Sequence, residues 1–192
     1  MILFIDTINK PSFVILYDEN RKKIDEIFWD SIYNEASTLM PNIDELLKEN
    51  KVSYDNLENI VVINWPWSFT WVRTTVLTAN TINYLKKIDL TEINFFDLYE
   101  IEYNAYPIIK TSSKRDVFIL KNSTSEIEVL SNSLLEDYLK INNIKKMYWE
   151  LNENNLDLII EKNINYDEII FKINLDNKQK ITPFYVKKPN IS

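Results

Sequence analysis

The sequence predicts a mixed α/β fold built of two small units, each a mixed sheet with helices packed on it. Three observations carry that expectation. Short β-branched apolar runs and long helical patterns follow the order β-β-β-α-β-α over the first hundred residues. The strand pattern then restarts after Tyr106. Finally, 45% hydrophobic residues in 192 suffice for a core without staples. A soft boundary near residue 100 separates a first unit (1–100) from a smaller second unit (101–192), and no low-complexity linker joins them.

Residues 2 to 6 read as a first apolar strand ending at Asp6-Thr7, and residues 12 to 18 as a second, with Asn9-Lys10-Pro11 as the turn between them. Lys23–Trp29 alternates polar and apolar residues as a third strand. A helix is expected over residues 34 to 50, because Ala36, Leu39, Met40, Ile43, Leu46 and Leu47 recur at i, i+3, i+4 spacing, with Pro41 placed to kink it. That stripe has two readings: core packing alone, which is favoured, or core packing with part of the helix surface given to a partner. Ile60 to Asn64 is the fourth strand. A second long helix runs from about 69 to 87, carries Val72, Val76, Leu77, Ala79, Ile82 and Leu85, and ends in Lys86-Lys87, cations suited to a helix C-terminus. Residues 90 to 102 suit a strand running into a short helix. Beyond them, strands are expected at 107–110, 116–121, 126–130, 146–148 and 169–173, with a helix at 131–141.

Composition removes several chemistries. There is no cysteine, which excludes disulfides and thiolate sites, and no histidine, the commonest general base and metal ligand. A net charge of −7 argues against a free-standing nucleic-acid binder and suits protein partners better. The N-terminus opens directly into a strand without a basic region, and no apolar run approaches the ~18 residues of a membrane span, so a cytoplasmic protein with no membrane partner is expected. Glycine is absent. Ordinary usage predicts roughly 13 in a chain of this length, and chance absence is of order one in a million.

One stretch concentrates these oddities. Residues 64 to 73, Asn-Trp-Pro-Trp-Ser-Phe-Thr-Trp-Val-Arg, lie between a buried strand and a helix start, the geometry of a phosphate loop. Such a turn normally needs glycine, so that the backbone can turn sharply and approach a ligand. Tryptophan stands there instead.

These residues resemble the TsaB (YeaZ) family of bacterial threonylcarbamoyladenosine biosynthesis. Ile2-Leu3-Phe4-Ile5-Asp6-Thr7 resembles that family's first strand and Asp-Thr turn, and residues 39 to 47 resemble its LLPLIDELL helix. Residues 65 to 73 are similar to its GPGSFTGLR signature, with three glycines replaced by tryptophan and leucine by valine. Pro183-Phe184-Tyr185-Val186-Lys187 resembles its closing P-x-Y-[LV]-R segment, and Asp116-Val117-Phe118 its acidic-Val-aromatic strand. The arginine-rich turn before that strand survives only as Ser113-Lys114-Arg115.

The resemblance implies the actin and sugar-kinase (ribonuclease H-like) fold, and a pseudo-enzyme subunit that pairs with a catalytic paralogue, TsaD, joined by the ATPase TsaE, to modify the adenosine beside the tRNA anticodon. It implies no catalytic residue, no metal and no cofactor of its own, with ATP at the partner interface. Transfer RNA is met only through the complex, and a homodimer forms when the partner is absent. Partner binding falls to the two helices of the first unit, with Ala36, Leu39, Met40, Ile43, Thr70, Arg73, Val76 and Leu77 as candidate contacts. Asp6, Thr7 and Ser68 are the candidate phosphate-binding residues. Asp6 has two readings, a contact to a metal-bound phosphate or a turn cap, of which the cap is favoured. Arg73 suits either an anion or partner, or a local carboxylate. Ser68 and Thr70 are read first as helix caps. The competing function is an active ATP-dependent phosphotransferase of the same fold, since phosphoryl transfer needs no histidine.

Trp65, Trp67 and Trp71 fall on family glycines, and Trp149 ends a strand where glycine is natural; Trp29 has no clear counterpart. One hypothesis explains both the missing glycines and the tryptophans: a gene in which UGA encodes glycine, read with a table in which UGA encodes tryptophan. A genuine tryptophan-rich loop is the alternative. Peptide masses of the native protein across residues 60 to 75 decide between them: glycine masses are expected, and tryptophan masses there would sink the idea.

Overall fold

The computed structural model describes residues 1–9, 11–30, 35–65, 69–150 and 159–183. The chain forms two units: Met1–Phe95 together with the segment from Ile170 onward, and Phe96–Ile169. The first boundary falls close to the expected one near residue 100. The segment after Ile170, however, returns to the first unit, where the sequence reading had kept everything from 101 to 192 together.

In the first unit, β1 (Ile2–Asp6), β2 (Ser12–Tyr17) and β3 (Lys23–Trp29) are antiparallel neighbours, while β4 (Asn59–Ile63) and β5 (Asp89–Ile93) run parallel to β1, giving the order β3-β2-β1-β4-β5. β1 and β4 are buried along their whole length, which is why they read as unbroken apolar runs. Alternate residues Leu3, Ile5, Val14, Leu16, Ile60 and Val62 share one core with α1 (Glu35–Glu49) and α2 (Phe69–Lys86). From α1 the core takes Leu39, Ile43, Leu46 and Leu47; from α2 it takes Val72, Val76, Ala79 and Ile82. α1 runs through Pro41, whose ring supplies no N–H to the ladder. Arg21, at the β2–β3 turn, donates from Nη1 to the carbonyls of Ile170 and Ile173 at 2.8 and 2.9 Å, and so ties the returning segment to the hairpin.

The second unit repeats the strand logic. β6 (Ile108–Thr111), β7 (Asp116–Leu120) and β8 (Glu128–Ser131) are antiparallel, and β9 (Lys146–Glu150) and β10 (Ile159–Glu161) run parallel to β6, giving β10-β9-β6-β7-β8. α3 (Phe95–Tyr103) leads into it, and α4 (Asn132–Ile141) packs Leu135 and Leu139 on Ile109, Val117, Ile119 and Met147. Ser131 caps α4 by accepting from Leu134 N at 3.3 Å. The restart seen after Tyr106 is thus a second copy of the same strand order. Two assignments need correction. Residues 169–173 are not a strand: they belong to α5 (Tyr166–Lys172) and its exit, with Ile169 and Ile170 buried. A short apolar run does not distinguish strand from buried helix, and Asp167 and Glu168 in the first turn favour the helix. β10 is an unpredicted strand of three residues.

The lack of glycine is felt at helix ends. Lys51, Lys87, Asn104 and Asn143, which follow α1 to α4, have φ of 56°, 60°, 45° and 49°. This is the left-handed position that glycine usually takes after a helix. Lys51 N and Val52 N bond back to Lys48 and Leu47, and Asn143 N and Ile144 N to Lys140 and Leu139, the paired closure of a Schellman motif. Lys87 N and Asn104 N make the single bond of the αL motif, to Asn83 and Glu100. Side chains at these positions cost about 1–2 kcal/mol each relative to glycine, with asparagine the most tolerant.

Candidate functional site

Two features of the first unit bear on function: the turn at the ends of β1 and β4, and the outer face of α1 and α2. At the turn, Asp6 is fully buried. Its Oδ1 accepts from the backbone N–H of Ile8 at 2.8 Å and of Asn9 at 3.0 Å, and its Oδ2 accepts from Asn9 Nδ2 at 3.0 Å. This is an Asx turn, in which a short carboxylate takes up the amides freed where the strand ends. Thr7 Oγ1 lies 2.6 Å from Thr75 Oγ1, so a buried hydroxyl pair bolts the end of β1 to α2. Asn64 and Trp65 are also buried; Asn64 N donates to Ile93 O and Phe95 N donates to Trp65 O, at 2.9 and 2.8 Å. The described groups here are engaged with one another, as the turn-cap reading of Asp6 requires. Ser68, expected as a helix cap or phosphate ligand, lies outside the described residues, as does Trp67. The side chains of Thr70 and Trp71 are outside them too.

The helix pair presents a different surface. α2 carries apolar residues on two sides: Val72, Val76, Ala79 and Ile82 are buried, whereas Leu77, Tyr84 and Leu85 are 67%, 74% and 68% exposed. Between α2, α1 and the 3-10 turn Tyr54–Asn56 lies an apolar groove of about 440 Å³, lined by Met40, Tyr54, Leu77, Thr81, Leu85 and Lys86 among others. Tyr54 is fixed on its floor by donating its hydroxyl to Asp44 at 2.6 Å. Burial, and then the Asp44 carboxylate, push the Tyr54 phenol well above its ordinary pKa, so it stays a neutral donor. Lys86 pairs with Asp55 at 2.9 Å at the groove's end.

The expected partner contacts divide on this surface. Met40 and Leu77 line the groove, and Arg73 is exposed on α2. Leu39, Ile43 and Val76 do not face outward: they are 1%, 0% and 3% exposed, because the stripe that predicts each helix is the stripe that seals the sheet. The side chain of Ala36 lies outside the described residues. Sequence reasoning missed Tyr54 and Tyr84 as surface residues, read Lys86 only as a helix-end cation and placed Leu85 only within the helix's apolar set. The i, i+7, i+8 spacing of Leu77, Tyr84 and Leu85 is the signal of a second face.

No family model and no curated protein matches the sequence. Solved structures do match in shape. YeaZ from Pseudomonas aeruginosa aligns with a TM-score of 0.53 and 16% identity over 68% of this chain and 64% of that one. An uncharacterized protein from Pseudomonas aeruginosa, described as similar to peptidase YEAZ, gives the same score and identity over 68% of this chain and 63% of its own. The chain therefore spans a little under two thirds of the length of each. The strand order β3-β2-β1-β4-β5, its repetition in the second unit and this likeness together give the chain the YeaZ-like fold, an actin-like, ribonuclease H-like α/β architecture.

Proposed function

We propose that this chain is a non-catalytic subunit of a tRNA threonylcarbamoyladenosine-modifying complex, in which the outer face of α1 and α2 binds and supports a TsaD-like catalytic paralogue. The observation that carries the proposal is the apolar groove between these helices, with Leu77 and Leu85 at its edge and Tyr84 beside them. Exposed apolar residues beside an apolar groove support an interaction site over a solvated face, and the helical spacing suits a helix laid along the groove. The same face can pair with a second copy when the partner is absent. A TsaE-like ATPase and the tRNA join through the complex, with ATP at the partner interface. Asp6 supports the non-catalytic reading, since both of its carboxylate oxygens accept bonds from its own turn. So does the sequence, which offers no histidine for a metal-binding pair. Co-purification with a TsaD-like paralogue is the test.

A further inference from the structure

Residues 176 to 182 cross the first unit as an extended segment with many side-chain anchors. Lys178 exchanges both backbone bonds with Leu90 at the free edge of β5, at 3.0 and 3.2 Å. Asn59 Nδ2 donates to Asp176 O at 2.7 Å, and Lys178 Nζ pairs with Glu92 at 2.9 Å. Further along, Asn80 of α2 donates from Nδ2 to Ile181 O at 2.8 Å and accepts from Ile181 N at 2.9 Å. Ile181 itself is 1% exposed in the core shared by the sheet and both helices. Asn64, where the chain leaves β4 for the turn into α2, donates to Thr182 O at 2.8 Å.

The two apolar sides of α2 make these anchors informative. At 3.6 residues per turn, Val72, Val76, Ala79 and Ile82 share one side of the helix and Leu77, Tyr84 and Leu85 the other. Apolar burial rewards either side, so polar contacts add to packing in selecting the rotation of α2: Thr75 meets Thr7 at the end of β1, and Asn80 meets the Ile181 backbone. Asn80 stands on the flank between Val76 and Tyr84. Its amide finds a matched donor and acceptor on the Ile181 backbone in one orientation of the helix, and rotation would leave those groups unpaired.

We propose that residues 176 to 182 form a strap that fixes the rotation of α2 about its axis, and so which apolar face is offered to a partner, with Asn80 as the positioning residue. The strap presets the binding face before any partner arrives, which lowers the ordering cost of association. The partner side of this statement rests on the proposed function; the hold on α2 does not.

The chain has no native cysteine, so thiol reactivity can report on α2 alone. Val76→Cys on the inner side of α2 and Ile60→Cys in β4 start from 3% and 0% exposure. In an Asn80→Ala background the reactivity of the cysteine at 76 with a small disulfide reagent is expected to rise by about tenfold or more, while that at 60 is unchanged. Asn80→Asp, which keeps the acceptor for Ile181 N–H and loses the donor, should give a smaller rise at 76 and serves if Asn80→Ala folds poorly. An equal rise at both cysteines, or no rise at 76, would overturn the strap. A selective rise at 76 in a chain that captures no paralogue would instead leave the strap standing and remove the proposed partner.

Discussion

Leu85→Glu, combined with Leu77→Glu, is expected to lower affinity for a TsaD-like paralogue by about 2–4 kcal/mol, roughly thirty- to a thousand-fold, with little change in fold stability. The two leucines are 68% and 67% exposed and line the apolar groove. In a complex each carboxylate would have to be desolvated against an apolar partner surface. In the free subunit they stand in water on a helix that accepts glutamate readily. Calorimetric titration against the paralogue measures the first effect, and thermal unfolding the second. A melting temperature that stays put while binding disappears assigns these residues to the interface rather than to the core.

Ile43→Ala is expected to do the reverse. Ile43 is fully buried and shares its core with Leu3, Leu16, Val62 and Val76. Removing its outer carbons leaves a cavity, and truncations of this kind cost about 2–5 kcal/mol, or roughly 5–15 °C in melting temperature for a chain of this size. The fraction that remains folded should bind the paralogue with unchanged affinity. Lost affinity without lost stability would instead make Ile43 a partner contact, as the resemblance implies.

These two substitutions also show where the sequence was readable. The buried strands β1 and β4, the alternation in Lys23–Trp29, and the stripe Leu39-Ile43-Leu46 in α1 could be read because burial imposes a period on them. The apolar stripes of the two helices misled the choice of partner residues: Leu39 and Ile43 in α1 and Val76 in α2 stand out in the pattern because they seal the sheet, and a side chain used for sealing is not available to a partner. α2 was harder still. It has two apolar sides, and the polar contacts that distinguish them, Thr7–Thr75 and Asn80–Ile181, join residues 68 and 101 apart in sequence. Tyr54 reaches the groove from a 3-10 turn, where no periodicity marks it. The left-handed helix ends at Lys51, Lys87, Asn104 and Asn143 were invisible for a related reason: the residue that ordinarily signals them, glycine, is missing from the chain.

The central claim, that the α1/α2 face makes this chain a supporting subunit, is tested most directly by co-expressing it with a TsaD-like paralogue and isolating it by a tag. The account predicts a stable complex with the paralogue that is lost on Leu77→Glu with Leu85→Glu, and no steady ATP hydrolysis by the chain alone. A stable monomer that ignores the paralogue and hydrolyses ATP steadily would contradict it and favour an active phosphotransferase of the same fold.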